Sequence, residues 1–74
     1  MIWAQVGQRW KYHGREGEMV VEVVSIYRNH IRYRIVQNIS VNKEDHVVGN
    51  VLAYYNGYFF PEYWTYLEEQ DKPE

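Results

Sequence analysis

The side chains able to hold a metal or drive a reaction are few and scattered along this 74-residue sequence. His13, His30 and His46 are its three histidines, and cysteine is absent, so a soft-metal site would have to draw on these three rings. No two of them stand at the i, i+2 or i, i+4 spacing that aims ligands from one strand or helix at one ion, and each falls at a predicted turn or strand end. No metal site and no cofactor is expected. Apart from the tyrosines, the hydroxyls are Ser25, Ser40 and Thr65, none in the strand-to-helix elbow that exposes a nucleophile. The carboxylate pairs Glu16/Glu18, Glu44/Asp45 and Glu68/Glu69 lie in predicted turns or the tail, where solvation leaves a carboxyl with an ordinary pKa. Gly14-Arg15-Glu16-Gly17 lacks the Lys-Ser/Thr continuation of a phosphate loop and precedes a strand rather than a helix. The expectation is a binding protein, not an enzyme.

Two sets of residues could bind. Lys11, Tyr27, Arg28, Arg32 and Arg34, with Arg9 beside Lys11, form a basic and aromatic strip on predicted strands, suited to stacking bases while neutralising phosphates. The same strip also reads as a solvated strand face whose arginines pair with Glu22 or with tail carboxylates. The second set is an aromatic run. Tyr54, Tyr55, Tyr58, Phe59, Phe60, Tyr63, Trp64 and Tyr66 crowd into one short segment, and a small core admits about half of such rings because alternate residues along a strand point outward. Tyr54, Tyr55, Tyr58, Tyr63 and Trp64 are therefore expected to form a partner-binding surface for a protein or for a second copy of the chain. Clustered rings can also cage a cation or seat a proline-rich peptide. Non-catalytic protein binding is the leading expectation, and single-stranded nucleic-acid binding through the arginine strip is the alternative.

The elements that must position these residues read as strands. Val6 to Tyr12 alternates, with Val6, Gln8, Trp10 and Tyr12 on one face. The glycines of His13-Gly14-Arg15-Glu16-Gly17-Glu18 supply a tight reversal. Met19 to Tyr27 is β-branched on both faces, as a long bent strand would be. Ile31 to Ser40 alternates with Ile31, Tyr33 and Ile35 inward. A two-residue turn at Asn29-His30 would set Ile26 against Tyr33 and Val24 against Ile35. Val41 to Asp45 reads as an exposed loop, with another strand from about His46. Asn56-Gly57 is a strong hairpin signal, with a short helix ending at Gly57 as the alternative. Pro61 to Trp64 suits one helical turn, and Thr65 to Glu68 a last strand. Gln70 to Glu74 reads as a disordered polar tail.

Composition bounds what these elements can build. Three Trp, eight Tyr and two Phe, with many β-branched residues, favour an all-β fold. One domain over residues 1–69 is expected, since so short a chain supports a single core. Net charge is -2, which provides no global attraction to nucleic acid or anionic lipid. No apolar run is long enough to span a membrane and no signal-peptide pattern opens the chain, so no membrane partner is expected and a cytoplasmic location is. Five or six short antiparallel strands cannot rest as a flat sheet with a face and both edges bare, which points to a small barrel. The strand order, Gly7, Trp10 and Phe60-Pro61-Glu62-Tyr63-Trp64 give the segment from Val6 to Glu68 a resemblance to SH3-like barrels, including the Tudor-like small proteins of phages and other mobile elements. That resemblance implies an SH3-like barrel with one helical turn before the final strand, and an accessory protein that binds a host protein.

Overall fold

A computed structural model of the chain describes residues 4–28, 30–54 and 61–67. The Asn56-Gly57 hairpin, Tyr55, Tyr58 and the tail at 70–74 lie outside them, as does Asn29. The described residues form five strands and no helix: β1 (Arg9–Gly14), β2 (Gly17–Tyr27), β3 (His30–Asn38), β4 (Val51–Tyr54) and β5 (Trp64–Leu67). They make one antiparallel sheet in the order β4-β3-β2-β1-β5. Among the described residues, backbone pairing does not close the sheet into a barrel.

Strand β1 starts later than the alternation suggests. Val6 sits in a turn, 63% exposed, where Gly7 takes φ 94° and donates its N–H to the Val23 carbonyl. Trp10 and Tyr12 keep the inward parity. At the other end, Gly14 pairs with Gly17 around Arg15-Glu16. Gly17 takes φ 127°, and a Cβ there would lie 2.5 Å from the Ser40 carbonyl oxygen, so conformation and space both require glycine.

The long strand β2 bends as expected, but its register with β3 differs. Tyr27 pairs with His30 and Ile26 with Ile31, and Arg28 between the strands adopts φ 56°. An asparagine tolerates either position of a two-residue loop, so Asn29 alone does not decide between centring the turn one residue earlier or later. The ladder then shifts between Val23 and Ser25, and again between Val20 and Val21. These irregularities change which valines face inward: Val23 opposes Tyr33 and Val21 opposes Ile35, both valines fully buried, while Val24 is half-buried. Bulges of this kind also bend a strand.

The bend carries the two sheet edges toward each other. Five flat strands would hold β4 and β5 about 19 Å apart. Instead the Trp64 ring of β5 lies 5.7 Å from Tyr54 of β4, 5.8 Å from Tyr33 of β3 and 4.9 Å from Tyr12 of β1. The core inside this curl comprises Ala4, Trp10, Met19, Val21, Val23, Ile31, Tyr33, Ile35, Val41 and Trp64.

Three further expectations differ from the structure. Pro61 to Tyr63 is a turn without helix, because the Tyr63 carbonyl already accepts the His13 N–H at 2.8 Å and extends the β1–β5 ladder back before Trp64. The segment after β3 is not wholly exposed: Val41 is buried, and His46 to Asn50 turns rather than forming a strand, so that β4 begins at Val51. Asn38 organises it, accepting from the Val41 N–H and donating to the Val41 and His46 carbonyls at 2.7 to 2.9 Å. Among the described residues no helix is long and apolar enough to cross a membrane.

Core burial predicts that Ile35→Ala lowers unfolding free energy by about 2–5 kcal/mol, whereas Val48→Ala, at a surface position, changes it by less than about 0.5 kcal/mol in urea titration. Gly17→Ala should cost more than Gly7→Ala, because both positions have positive φ but the space beside Gly7 is open and that beside Gly17 is filled by Ser40. Equal costs for the two glycine variants would contradict the close approach of Ser40.

Candidate functional site

Where the curled sheet brings β1, β4 and β5 together, four rings surround a groove. Tyr12, Tyr54, Tyr63 and Trp64 line a hollow of about 320 Å³ together with Arg15 and Glu16. A second hollow of about 230 Å³ shares Tyr12, Glu16, Tyr54 and Trp64 and reaches Met19, Tyr33, Val41, Lys43 and His46. The volume of the first is that of a small ligand site. Its walls follow from strand parity. Tyr12 is an inward residue two positions before the Gly14 turn, so its ring lies at the mouth of the curl and not in its centre. Tyr54 is the last residue of β4, Trp64 the first of β5, and Tyr63 precedes it in the turn.

The sequence-predicted aromatic surface is thus divided. Tyr63 is 43% exposed and Tyr54 half-buried, but Trp64 is 3% exposed and belongs to the core, reaching the groove only with its edge of remaining surface. The sequence reading missed Tyr12, Arg15 and Glu16. The available signal was Tyr12's place on the inward face beside a two-residue turn, which brings turn side chains next to an inward ring.

The groove carries charge at its rim. The Tyr12 hydroxyl donates to a Glu16 carboxylate oxygen. That hydrogen bond, followed by lesser effects including the nearby Lys43 charge, holds the Glu16 carboxyl below its ordinary range. Lys43 Nζ lies 3.8 Å from the other Glu16 oxygen. Asp45 is likewise held below its ordinary range, first by its hydrogen bond with His46, 2.7 Å away. Burial, then the hydrogen bond to Glu16, pushes the Tyr12 phenol up to about 12, and burial followed by the Asp45 charge does the same for Tyr33. Both rings stay neutral at physiological pH.

The arginine strip falls on the opposite, outer face. Arg9, Lys11, Arg32 and Arg34 share it by register, but Glu22 stands between Arg9 and Arg34 and makes a 3.9 Å ion pair with Arg34, while Lys11 pairs with Glu18 at 3.5 Å. Tyr27 is well exposed beyond them, and the Arg28 guanidinium lies 5.2 Å from its ring centroid. The face therefore alternates in sign, unlike a continuous phosphate track. His13 contacts Thr65, His30 opens β3 and His46 joins Asp45, so the three histidines are not brought together. Among the described residues no three His, Cys, Asp or Glu side chains group as metal ligands would.

Comparison with protein-family models, with curated proteins and with solved structures finds no match to this chain.

The raised phenols have a signed consequence for stability. Folding favours the neutral form of Tyr12 and Tyr33, so their contribution is complete below pH 10 and is lost as pH rises from the ordinary value of 10.0 through about 12. Ultraviolet titration of Tyr12→Phe and Tyr33→Phe should each show one late-titrating phenol missing, with a shallower loss of stability above pH 10. Loss of an ordinary phenol in either variant would refute the assigned surroundings.

Proposed function

We propose that the chain is a non-catalytic protein-binding module and that its binding surface is the ring-lined groove of Tyr12, Tyr54, Tyr63 and Trp64. The observation that carries this reading is the groove itself, about 320 Å³ of concave space walled by aromatic side chains on a domain that buries the Trp10 and Tyr33 rings. Exposed tyrosines with little conformational freedom make strong contacts at protein interfaces. Tyr63 is the accessible anchor, and Trp64 supports the floor.

An SH3-like reading of the fold is in keeping with the β4-β3-β2-β1-β5 order, the long bent β2 and the turn that precedes β5. In that reading the ring contacts of Trp64 do the work of a barrel seam, and the role implied is that of a small accessory protein of a phage or mobile element acting on a host protein. A second copy of the chain would be an equally direct occupant if the groove serves a homodimer. Nucleic-acid binding through Lys11, Tyr27, Arg28, Arg32 and Arg34 is the weaker reading, since Glu18 and Glu22 already neutralise part of that face.

Tyr63 lies in a surface turn, so Tyr63→Ala should leave the fold intact. Partner capture from a host lysate, followed by cross-linking to locate the contact, should then fall at least about tenfold for Tyr63→Ala and stay unchanged for Arg32→Ala. Unchanged capture by a folded Tyr63→Ala variant would sink the groove reading. Tight oligonucleotide binding at low salt that weakens as salt rises, and that Arg32→Ala abolishes, would favour the outer face instead.

A further inference from the structure

Charge is unevenly placed along this chain. Through Leu67 the sequence holds seven Lys and Arg against six Asp and Glu, whereas residues 68–74 hold one cation, Lys72, against the four carboxylates of Glu68, Glu69, Asp71 and Glu74. The acidic balance of the whole comes from the segment that follows β5, and the body before it is weakly basic. On that body the arginines gather at one end of the outer sheet face. Leu67, Arg9, Glu22 and Arg34 are successive partners across β5, β1, β2 and β3, and Arg32 and Arg28 lie further along in the direction that β2 runs. Glu22 already pairs with Arg34 at 3.9 Å, but Arg9 and Arg32 are exposed and have no ion pair among the described residues. We propose that residues 68–74 fold back over this end of the outer face, held by Arg9, Arg32 and Arg34, and that they keep other polyanions off it.

Direction, reach and charge all favour this occupant. Strands β5 and β2 both pair antiparallel with β1, so they run the same way, and β5 delivers the chain at Leu67 to the end of the sheet where Arg28 and Arg32 stand. The ring-lined groove opens at the opposite end of β5, beside Trp64. From Leu67 to Arg34 is three inter-strand steps, roughly 14 Å at about 4.8 Å each, and seven residues extend to about 24 Å. The segment can therefore cover the whole row. A single exposed carboxylate-guanidinium pair holds weakly and is screened by salt. Four carboxylates on a short tether meet the arginines at an effective concentration on the order of millimolar, which offsets that weakness. Glu22 limits the attraction at Arg34, so Arg9 and Arg32 carry most of it. The groove is a poorer seat for this segment, because Lys43 and His46 there already lie beside Glu16 and Asp45.

The test uses the full chain. Since the sequence has no cysteine, Pro73→Cys takes a single nitroxide label and leaves every carboxylate of the segment in place. At low salt, paramagnetic broadening should be strong at the Arg9, Arg32 and Arg34 amides and weak at those of Arg15, Lys43 and Tyr63, and ~1 M salt should abolish the difference. The second readout is affinity for a single-stranded oligothymidylate, used only as a polyanion. Replacing the four carboxylates together, by Glu68→Gln, Glu69→Gln, Asp71→Asn and Glu74→Gln, should tighten its binding about tenfold at low salt. Glu44→Gln with Glu62→Gln, which removes acidic charge elsewhere, should change it by less than about twofold. Broadening spread evenly over the sheet or centred on the groove overturns the inference, as does unchanged polyanion affinity when the segment is neutralised. Broadening that arises only between a nitroxide-labelled chain and an unlabelled one would make a second copy the occupant, and also overturns it. Partner capture through Tyr63 enters none of these readouts, so the inference and the groove reading fail separately.

Discussion

One tryptophan ring decides the shape of this domain. Trp64 belongs to an edge strand, β5, yet its ring meets Tyr33 and Tyr54 from the far side of the sheet, across the intervening β1 and β2. A flat sheet forbids that contact, so the burial of this side chain and the curvature of the sheet are one constraint. The curvature needs local irregularity in the strand shared by both halves, and β2 supplies it at the two places where its register with β3 shifts. With no disulfide available, ring burial of this kind is a principal means by which so small a chain excludes water from an apolar interior.

The groove is a by-product of the same curvature. Rings that converge on Trp64 fill the centre of the curl, but those nearest the strand ends, Tyr12, Tyr54 and Tyr63, have only part of their surface covered. The polar rim is held to this opening by backbone contacts rather than by ion pairs. The Glu18 backbone N–H donates to Ser40 Oγ and its carbonyl accepts from the Ile39 and Ser40 N–H groups, which ties the segment after β3 to the start of β2. Gly17 leaves room for that approach, and Asn38 folds the following residues back so that Val41 enters the core while Lys43 remains outside. Sequence thus acts through a glycine and an asparagine to bring Lys43 to Glu16.

Much of the strand content was legible in the sequence, because β-branched and aromatic residues alternate clearly over Ile31 to Ile35 and around Trp10. The tight turn between Gly14 and Gly17 was legible for the same local reason. Register was not: the bulge near Val24 has no residue signature, and it reverses which of Val23 and Val24 faces the core. The inward position of Trp64 was also hidden. It lies in an aromatic run with no alternation to separate core from surface, and its environment is set by strands β3 and β4, far away in sequence. Among the site residues, Tyr54 and Tyr63 could be proposed from ring density alone, while Tyr12 and Glu16 required knowing that a hairpin end and a sheet edge meet.

The contact between the two edges is the claim on which fold and groove both stand, and nuclear Overhauser effects measure it directly. In the folded chain, the Trp64 indole protons should show clear cross-peaks to the ring protons of Tyr54 and Tyr33, weaker than those to its sheet neighbour Tyr12 but of the same order, matching centroid separations of 5.7, 5.8 and 4.9 Å. Cross-peaks to Tyr12 alone, with the β1–β5 and β3–β4 ladders intact, would mean that the sheet does not curl and that the groove does not exist.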